Sequence, residues 1–358
     1  MNMKKMVLLI AAACMLTAAQ AQDSIKTASC SKHYGVFRNL DVSVVAGTTG
    51  IGIDVASRIG DYVQLRAGYD YMPRFHKSVY FPVEVGGEPA KKYDAQGNPV
   101  ETRFDRLSKI LTQVTGYQVT DEVEMVGKPT VNNFKLLVDV FPFKHNRHWH
   151  FTAGFYWGAS QFGYAENSTQ AMTSLLAVGM YNTIYYRAEN RLPLYEGSSF
   201  SIGEEIRSAL MNYGRMGFPI GKFKHDIYGT YAQDVYGEFG DILHHKGEYG
   251  VIHQAGETYM MEPGLDGMVK VYAKANNFKP YLGFGYGGRL LKNRDDWQVS
   301  FDAGAMFWGG TPDLYTHDGI NLTKDVEGIR GKVGDWVDIV GGVKVYPVLN
   351  VRFTKTIF

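Results

Sequence analysis

The feature that most constrains this chain is a period-two alternation that recurs along its length, with aromatic residues crowding the apolar side. Val63, Leu65, Ala67, Tyr69 and Tyr71 share one side of a strand, and Gln64, Arg66, Gly68 and Asp70 the other. Trp149, Phe151, Ala153, Phe155 and Trp157 oppose His150, Thr152, Gly154 and Gly158. Trp297, Val299, Phe301, Ala303, Ala305 and Phe307 oppose Gln298, Ser300, Asp302 and Gly304. Phe134, Leu136, Val138 and Val140 oppose Lys135 and Asp139; Leu349, Val351, Phe353 and Ile357 oppose Asn350, Arg352, Thr354 and Thr356. Residues two apart lie on one face of a strand, so each stretch has a dry face and a wet one.

A soluble sandwich also alternates, but it turns charges outward and aliphatics inward. Here the dry faces end in aromatics, and the wet faces carry full charges and glycines. That pattern predicts an all-β fold, a closed antiparallel up-and-down transmembrane β-barrel with aromatic girdles and a polar interior. Beyond the first residues there is no run of 18 apolar residues to make a membrane helix, which leaves a closed barrel as the spanning structure. Tyr 24 and Phe 20 are then read as girdles, and Gly 41 as narrow interior and turns.

Lys4 and Lys5, the apolar stretch Met6 to Leu16 and Ala19-Gln20-Ala21 read as a signal peptide over residues 1–21. A periplasmic segment over 22–38 follows, and 39–358 is read as one outer-membrane barrel domain. Cys14 leaves with the signal, so Cys30 is the one remaining thiol.

Strand parity sets the topology. Such barrels have an even strand number, short turns on the periplasmic side and long loops outside. Strands at 39–47, 51–59, 62–75, 131–143, 148–163, 267–290 and 297–309, with the C-terminal one, give about eight strands, within a range of 8 to 12. The apolar phase flips at Gly47-Thr48-Thr49-Gly50, read as a hairpin, and at Asn276-Asn277, read as a bulge in one long strand. Insertions at about 76–130, 164–266 and 310–343 all fall outside. They are partly helical. Phe104, Leu107, Leu111 and Val114 share a helix face, as do Leu322, Val326, Ile329, Val333, Trp336 and Val340, and 201–213 reads as a short helix.

The closing run Val351 to Phe358 resembles the terminal strand of Gram-negative outer-membrane barrels, whose final Phe is an insertion signal. It departs from them in placing Thr356, Thr354 and Arg352 on the face of that Phe. The run Gly47 to Val55 with Leu65-Arg66-Ala67-Gly68-Tyr69, and later Lys279 to Gly287, Phe301-Asp302-Ala303-Gly304 and Tyr346-Pro347-Val348-Leu349, resemble the small OmpA/OmpW-like barrel domain. The resemblance implies the barrel, the cell outer membrane, contact with its lipid and lipopolysaccharide, and the barrel-assembly machinery. It implies no catalytic residues and no cofactor.

The candidate site is a lumen charge network of Asp54, Arg66, Asp70, Lys135, Asp139, Asp302 and Arg352 on the wet faces. Three cations and four anions in a narrow interior are expected to pair; the bland reading is a structural plug, the sharper one a gated polar path. Gly283-Phe284-Gly285-Tyr286-Gly287-Gly288 has dinucleotide spacing but no following helix, so it reads as narrow-barrel glycine. His145, His148 and His150, and Asp241, His244, His245 and His253, are weighed as metal ligands against ordinary turns and loops. Net charge +1 argues against nucleic acid. The leading expectation is a structural or surface-recognition barrel without catalysis; a narrow channel or transporter, and a lipid-modifying barrel enzyme, are the alternatives.

Overall fold

The computed structural model describes residues 39–358, apart from 88–91, 144–146, 196, 238–240, 292–293 and 330. The signal peptide, the 22–38 segment, Cys30 and His145 lie outside the described residues. Eight antiparallel strands close into a barrel. They are β1 Asp41–Gly47, β2 Gly50–Ile59, β3 Val63–Tyr71, β4 Asn132–Val140, β5 Trp149–Gly158, β6 Phe278–Leu291, β7 Arg294–Phe307 and β8 Val345–Thr356. Each pairs with the next, and β8 returns to β1 with Asp41 opposite Thr356 and Gly47 opposite Asn350. Closure leaves no edge with unpaired backbone groups, which hydrocarbon would not tolerate.

The predicted faces hold along every barrel strand. Inward residues such as Asp54, Arg66, Lys135 and Asp302 are buried; Ile53, Tyr69, Phe134, Phe151, Leu282, Phe301 and Phe353 are exposed on the outside. An apolar surface running round the whole barrel is far larger than a soluble monomer presents, and its solvent is lipid. Aromatics bound this belt at both ends. Trp149 meets Tyr286 edge-on near the turns, with ring centroids 4.9 Å apart, and Trp157 meets Phe278 at the other end, 6.4 Å apart. From Trp149 to Trp157 is about the 9–11 residues a tilted strand needs to cross.

The first phase flip is a hairpin, with Gly47 opposite Gly50 and Gly50 at φ 104°. The second is neither bulge nor hairpin. Residues 267–290 do not form one strand: Lys270–Lys274 is separate from β6 and belongs to another sheet. Five barrel strands in fact continue past the rim as five further strands. In order these are Lys77–Pro82, Glu122–Pro129, Gln161–Asn167, Lys270–Lys274 and Asp313–Thr316, extending β3, β4, β5, β6 and β7. This open sheet, on the side opposite Asn39 and Phe358, is the floor of a cap.

The rest of the cap packs onto one face of that sheet. Strand Met216–Phe223 pairs with Thr258–Met261, Val326–Glu327 and Glu84–Val85. Helices α1 Arg103–Thr115, α2 Thr169–Glu189, α3 Glu204–Tyr213 and α4 Gly331–Gly342 surround it. Helix α1 begins with a reciprocal capping box between Thr102 and Asp105 and buries Phe104, Leu107 and Leu111. The helix expected over 322–340 is shorter, because Val326 is used in a strand pair and only Gly331–Gly342 is helical. Helix α2 has no counterpart in the sequence reading. Its buried face includes Ser174 and Asn182, whereas Met180 is exposed, so it shows little amphipathic contrast. No described helix is long and apolar enough to cross a membrane. The cap also corrects the reading of the aromatics. Phe104, Tyr181, Phe218, Phe223 and Tyr259 form a second apolar core here, apart from the girdles.

Leu282 lies outward between Ala153 and Ala305, near mid-strand. Leu282→Arg is expected to lower folding stability in lipid vesicles by about 2–4 kcal/mol. Denaturant titration reads this, and a change within about 0.5 kcal/mol would show that this face does not meet lipid.

Candidate functional site: a charge-filled lumen beneath an apolar cap cavity

All seven of the predicted lumen residues point inward and meet. Lys135 Nζ lies 2.6 Å from Asp70 and 2.8 Å from Asp54. Arg66 lies 2.8 Å from Asp139, 3.5 Å from Asp302 and 3.6 Å from Asp54. Arg352 reaches Asp302 at 3.3 Å and Asp139 at 3.6 Å, and its Nε donates to Ser300 Oγ at 3.0 Å. The charges alternate in sign across β2, β3, β4, β7 and β8, so each cation touches at least two carboxylates.

Two members are not among the predicted seven. His150 on β5 sits 2.7 Å from Asp302, and Thr152 donates to Asp139 at 2.7 Å. The sequence reading places His150 on the wet face of this strand and weighs it as a metal ligand, but does not include it in the charge network. Sequence spacing held the clue, since His150 and Thr152 share the wet face of β5.

Glycines make the room. A Cβ on Gly285 would stand 2.3 Å from His150 Nε2 and 2.4 Å from Asp302 Oδ1; one on Gly68 would stand 2.1 Å from Asp54 Oδ1. These distances are below any real contact, so the network occupies space that only glycine leaves on the inward face. The dinucleotide-like glycines belong to this packing on β6.

No charged side chain of this network is more than 7% exposed. A column of water along the axis would wet them, so the lumen is filled by side chains at this level. Toward the cap the inward face of β5 to β8 becomes apolar. Tyr156, Tyr281, Met306 and Val348 are at most 2% exposed and pack with Leu137 and Trp308. Trp308 stacks on Tyr346, whose hydroxyl donates to the Thr48 carbonyl in the neighbouring β1–β2 turn at 2.7 Å. Lys279 is buried above the network and donates to Asn133. At the turn end, Gln64 and Thr356 both donate to Asp41.

Above this layer the cap holds a cavity of about 340 Å³. One wall is a single face of the five-stranded sheet, where Gly127, Ala165, Gly163 and Ala273 are cross-strand neighbours. The opposite wall is Phe218, Ile220 and Met261 with Val333, Val337 and Trp336 of α4. Phe162 lines the floor and packs edge-on against Trp308, 4.2 Å between centroids, which separates the cavity from the lumen. Phe75 and Trp336 are 58% and 44% exposed and mark the mouth.

Polar clamps hold the cap in shape. Asn182 on α2 accepts from the Met216 amide and donates to its carbonyl, at 2.9 and 2.7 Å. Buried Tyr259 donates to Asp318 at 2.8 Å, and burial first, then that carboxylate, pushes its phenol far above the ordinary tyrosine range. His244 and His253 turn to Glu248 and Glu257, and His245 to Asp234. His148 stacks on Tyr286. Among the described residues no three His, Cys, Asp or Glu side chains group to hold a metal.

The fold and this arrangement define a closed eight-stranded transmembrane barrel with a large folded cap. No family model and no curated protein matches the chain. Among solved structures it is similar to CarO2 of Acinetobacter baumannii, at 12% identity and a TM-score of 0.35, covering 90% of this chain and 100% of that one. CarO of the same organism gives 13% and 0.34, covering 89% and 97%. A major outer membrane protein of Thermus thermophilus gives 10% and 0.25, covering 89% and 98%. The fold assignment rests on the strand pairing itself.

Removing one partner from a buried ion network strands the others, at about 3–5 kcal/mol. Asp302→Ala is therefore expected to cost that much. Asp302→Ala combined with Arg352→Met should cost less than the two single changes added, with a coupling of about 1–3 kcal/mol in a double-mutant cycle. Additive losses would mean that the two side chains do not act as a pair.

Proposed function

We propose that this chain is an integral outer-membrane barrel with a closed lumen, and that its cap carries a surface-recognition role. The observation that supports this most is the lumen itself. The seven charges of its network are paired, buried and overlaid by an apolar layer, an arrangement suited to anchoring rather than conduction. A path for solutes needs unpaired polar groups lining water, as in wider barrels. The size and packing of the cap support a recognition role there, since binding residues concentrate in segments held by a scaffold.

The membrane assignment draws on the lipid-facing belt, the signal-peptide pattern over residues 1–21 and the OmpA/OmpW-like resemblance. The exposure of Phe358 just past the end of β8 supports a role for it in recognition by the barrel-assembly machinery. Outer-membrane lipid surrounds the belt, and the cap faces the lipopolysaccharide side. The role assigns no catalysis, no cofactor and no nucleic acid.

Two measurements test this. Purified protein in planar bilayers is expected to give no reproducible conductance steps, and steps whose ion preference changes in Arg66→Ala would establish the channel reading instead. In a Cys30→Ser background, Leu265→Cys on the cap should react with a membrane-impermeant maleimide in intact cells. Tyr62→Cys, at a short turn, should react only after the outer membrane is permeabilised. The reverse labelling would invert the topology.

A further inference from the structure

We infer that the cap cavity is a binding site for a single-chain anionic amphiphile of the long-chain fatty acid class. This deepens the recognition role proposed for the cap by naming what the cap takes.

The volume, about 340 Å³, is at the low end of ligand pockets, which suits one chain rather than a two-chain lipid. Its walls are carbon. Val79, Phe81, Ile220, Met261, Val271 and Val337 offer no hydrogen bond, so a ligand with polar groups along its length would lose those it makes to water. Water gains nothing there either, because a buried water needs two or more polar partners. An unfilled apolar space of this size forfeits packing on all its walls. An aliphatic chain restores it.

The mouth supplies the sign of the head group. Lys77 stands on the same sheet face as Val79 and Phe81, two residues from exposed Phe75, and it lines the cavity. It makes no ion pair or side-chain hydrogen bond with any described residue. The other cation at the wall, Lys128, is engaged by Glu166 and lies over the Tyr164 ring. One lysine at the rim of a carbon-lined pocket is thus left for an anion, and a carboxylate at the end of the chain meets it there.

The space has a specific origin in the sequence. Gly127, Gly163, Ala165 and Ala273 stand where larger side chains on the same sheet face would fill the cavity. A Cβ on Gly127 or Gly163 would find only ordinary contacts, at 3.5 Å or more. These positions tolerate side chains sterically, and the cavity exists because they carry none.

The test uses full-length mature protein exchanged from detergent into amphipol, with brominated hexadecanoate as a tryptophan quencher. Saturable quenching is expected, and most of it should be lost in Trp336→Phe. Competing octanoate, dodecanoate and hexadecanoate should displace the probe with about fourfold tighter binding per added methylene until the cavity is full. Lys77→Gln should weaken hexadecanoate about fivefold or more and leave hexadecanol unchanged. Ala165→Phe should abolish saturable quenching while the folded barrel keeps its heat-modifiable gel mobility. Where Ala165→Phe does not fold, Val340→Trp closes the same space from α4 and is read by displacement of a fluorescent polyene fatty acid. Non-saturable quenching, or wild-type affinity in a folded cavity-filled variant, would overturn the site. Equal affinity for hexadecanol and hexadecanoate, unmoved by Lys77→Gln, would overturn the anionic ligand. None of these outcomes bears on conductance, so the closed-lumen reading and the ligand assignment fail separately.

Discussion

A charge inside a membrane barrel must find its counter-charge inside the same barrel. Lipid outside offers none, and the cost of an isolated buried ion is several kcal/mol. Arg66 is the case on which this structure turns. It stands on β3, and its carboxylate partners come from β2, β4 and β7. Those contacts require the register of each strand to be correct to the residue. A slip by one would turn Arg66 into lipid and an aliphatic into the lumen. The network therefore fixes the barrel as well as filling it.

Filling has a consequence for function. With side chains occupying the axis and an aromatic layer above them, the barrel supplies position and rigidity. On the proposed reading ligands meet the cap, where strands of the same barrel run on beyond the rim and support a second core. The apolar cavity lies on that extension, with Phe162 against Trp308 as the partition. A rigid floor of paired strands below a cavity favours a preformed site, in which binding costs little reordering.

The barrel was legible because its signal is local. Alternation of Phe134 with Lys135, or Phe301 with Asp302, assigns faces without any tertiary information. Charge on the wet faces then predicted the lumen cluster, since a narrow interior brings inward residues together. The cap was less legible because its signals are not local. Lys270–Lys274 alternates like a barrel strand, and its phase flip against β6 at Asn276-Asn277 is also what a bulge would give; it leaves the barrel because its partners are Gln161–Asn167 and Asp313–Thr316. Helix α2 hides its buried face behind Asn182 and Ser174, which serve clamps rather than water. The cavity had no sequence signature at all. Gly127 and Ala273 stand far along the chain from Gly163 and Ala165, and become their neighbours only by strand pairing. His150 lay between: its face was readable, but its partner Asp302 is 152 residues away.

The central claim is that the lumen is closed at the level of the network. Val45 points inward there, opposite Gly52 and Arg352, and is 1% exposed. Val45→Cys, in a chain whose Cys30 is Ser, changes little volume and removes no charge. A small charged methanethiosulfonate reagent applied to the folded protein in lipid should leave this thiol unmodified, although it reacts fully after denaturation. Rapid modification in the folded barrel would show a water-filled path past Arg352 and contradict the account.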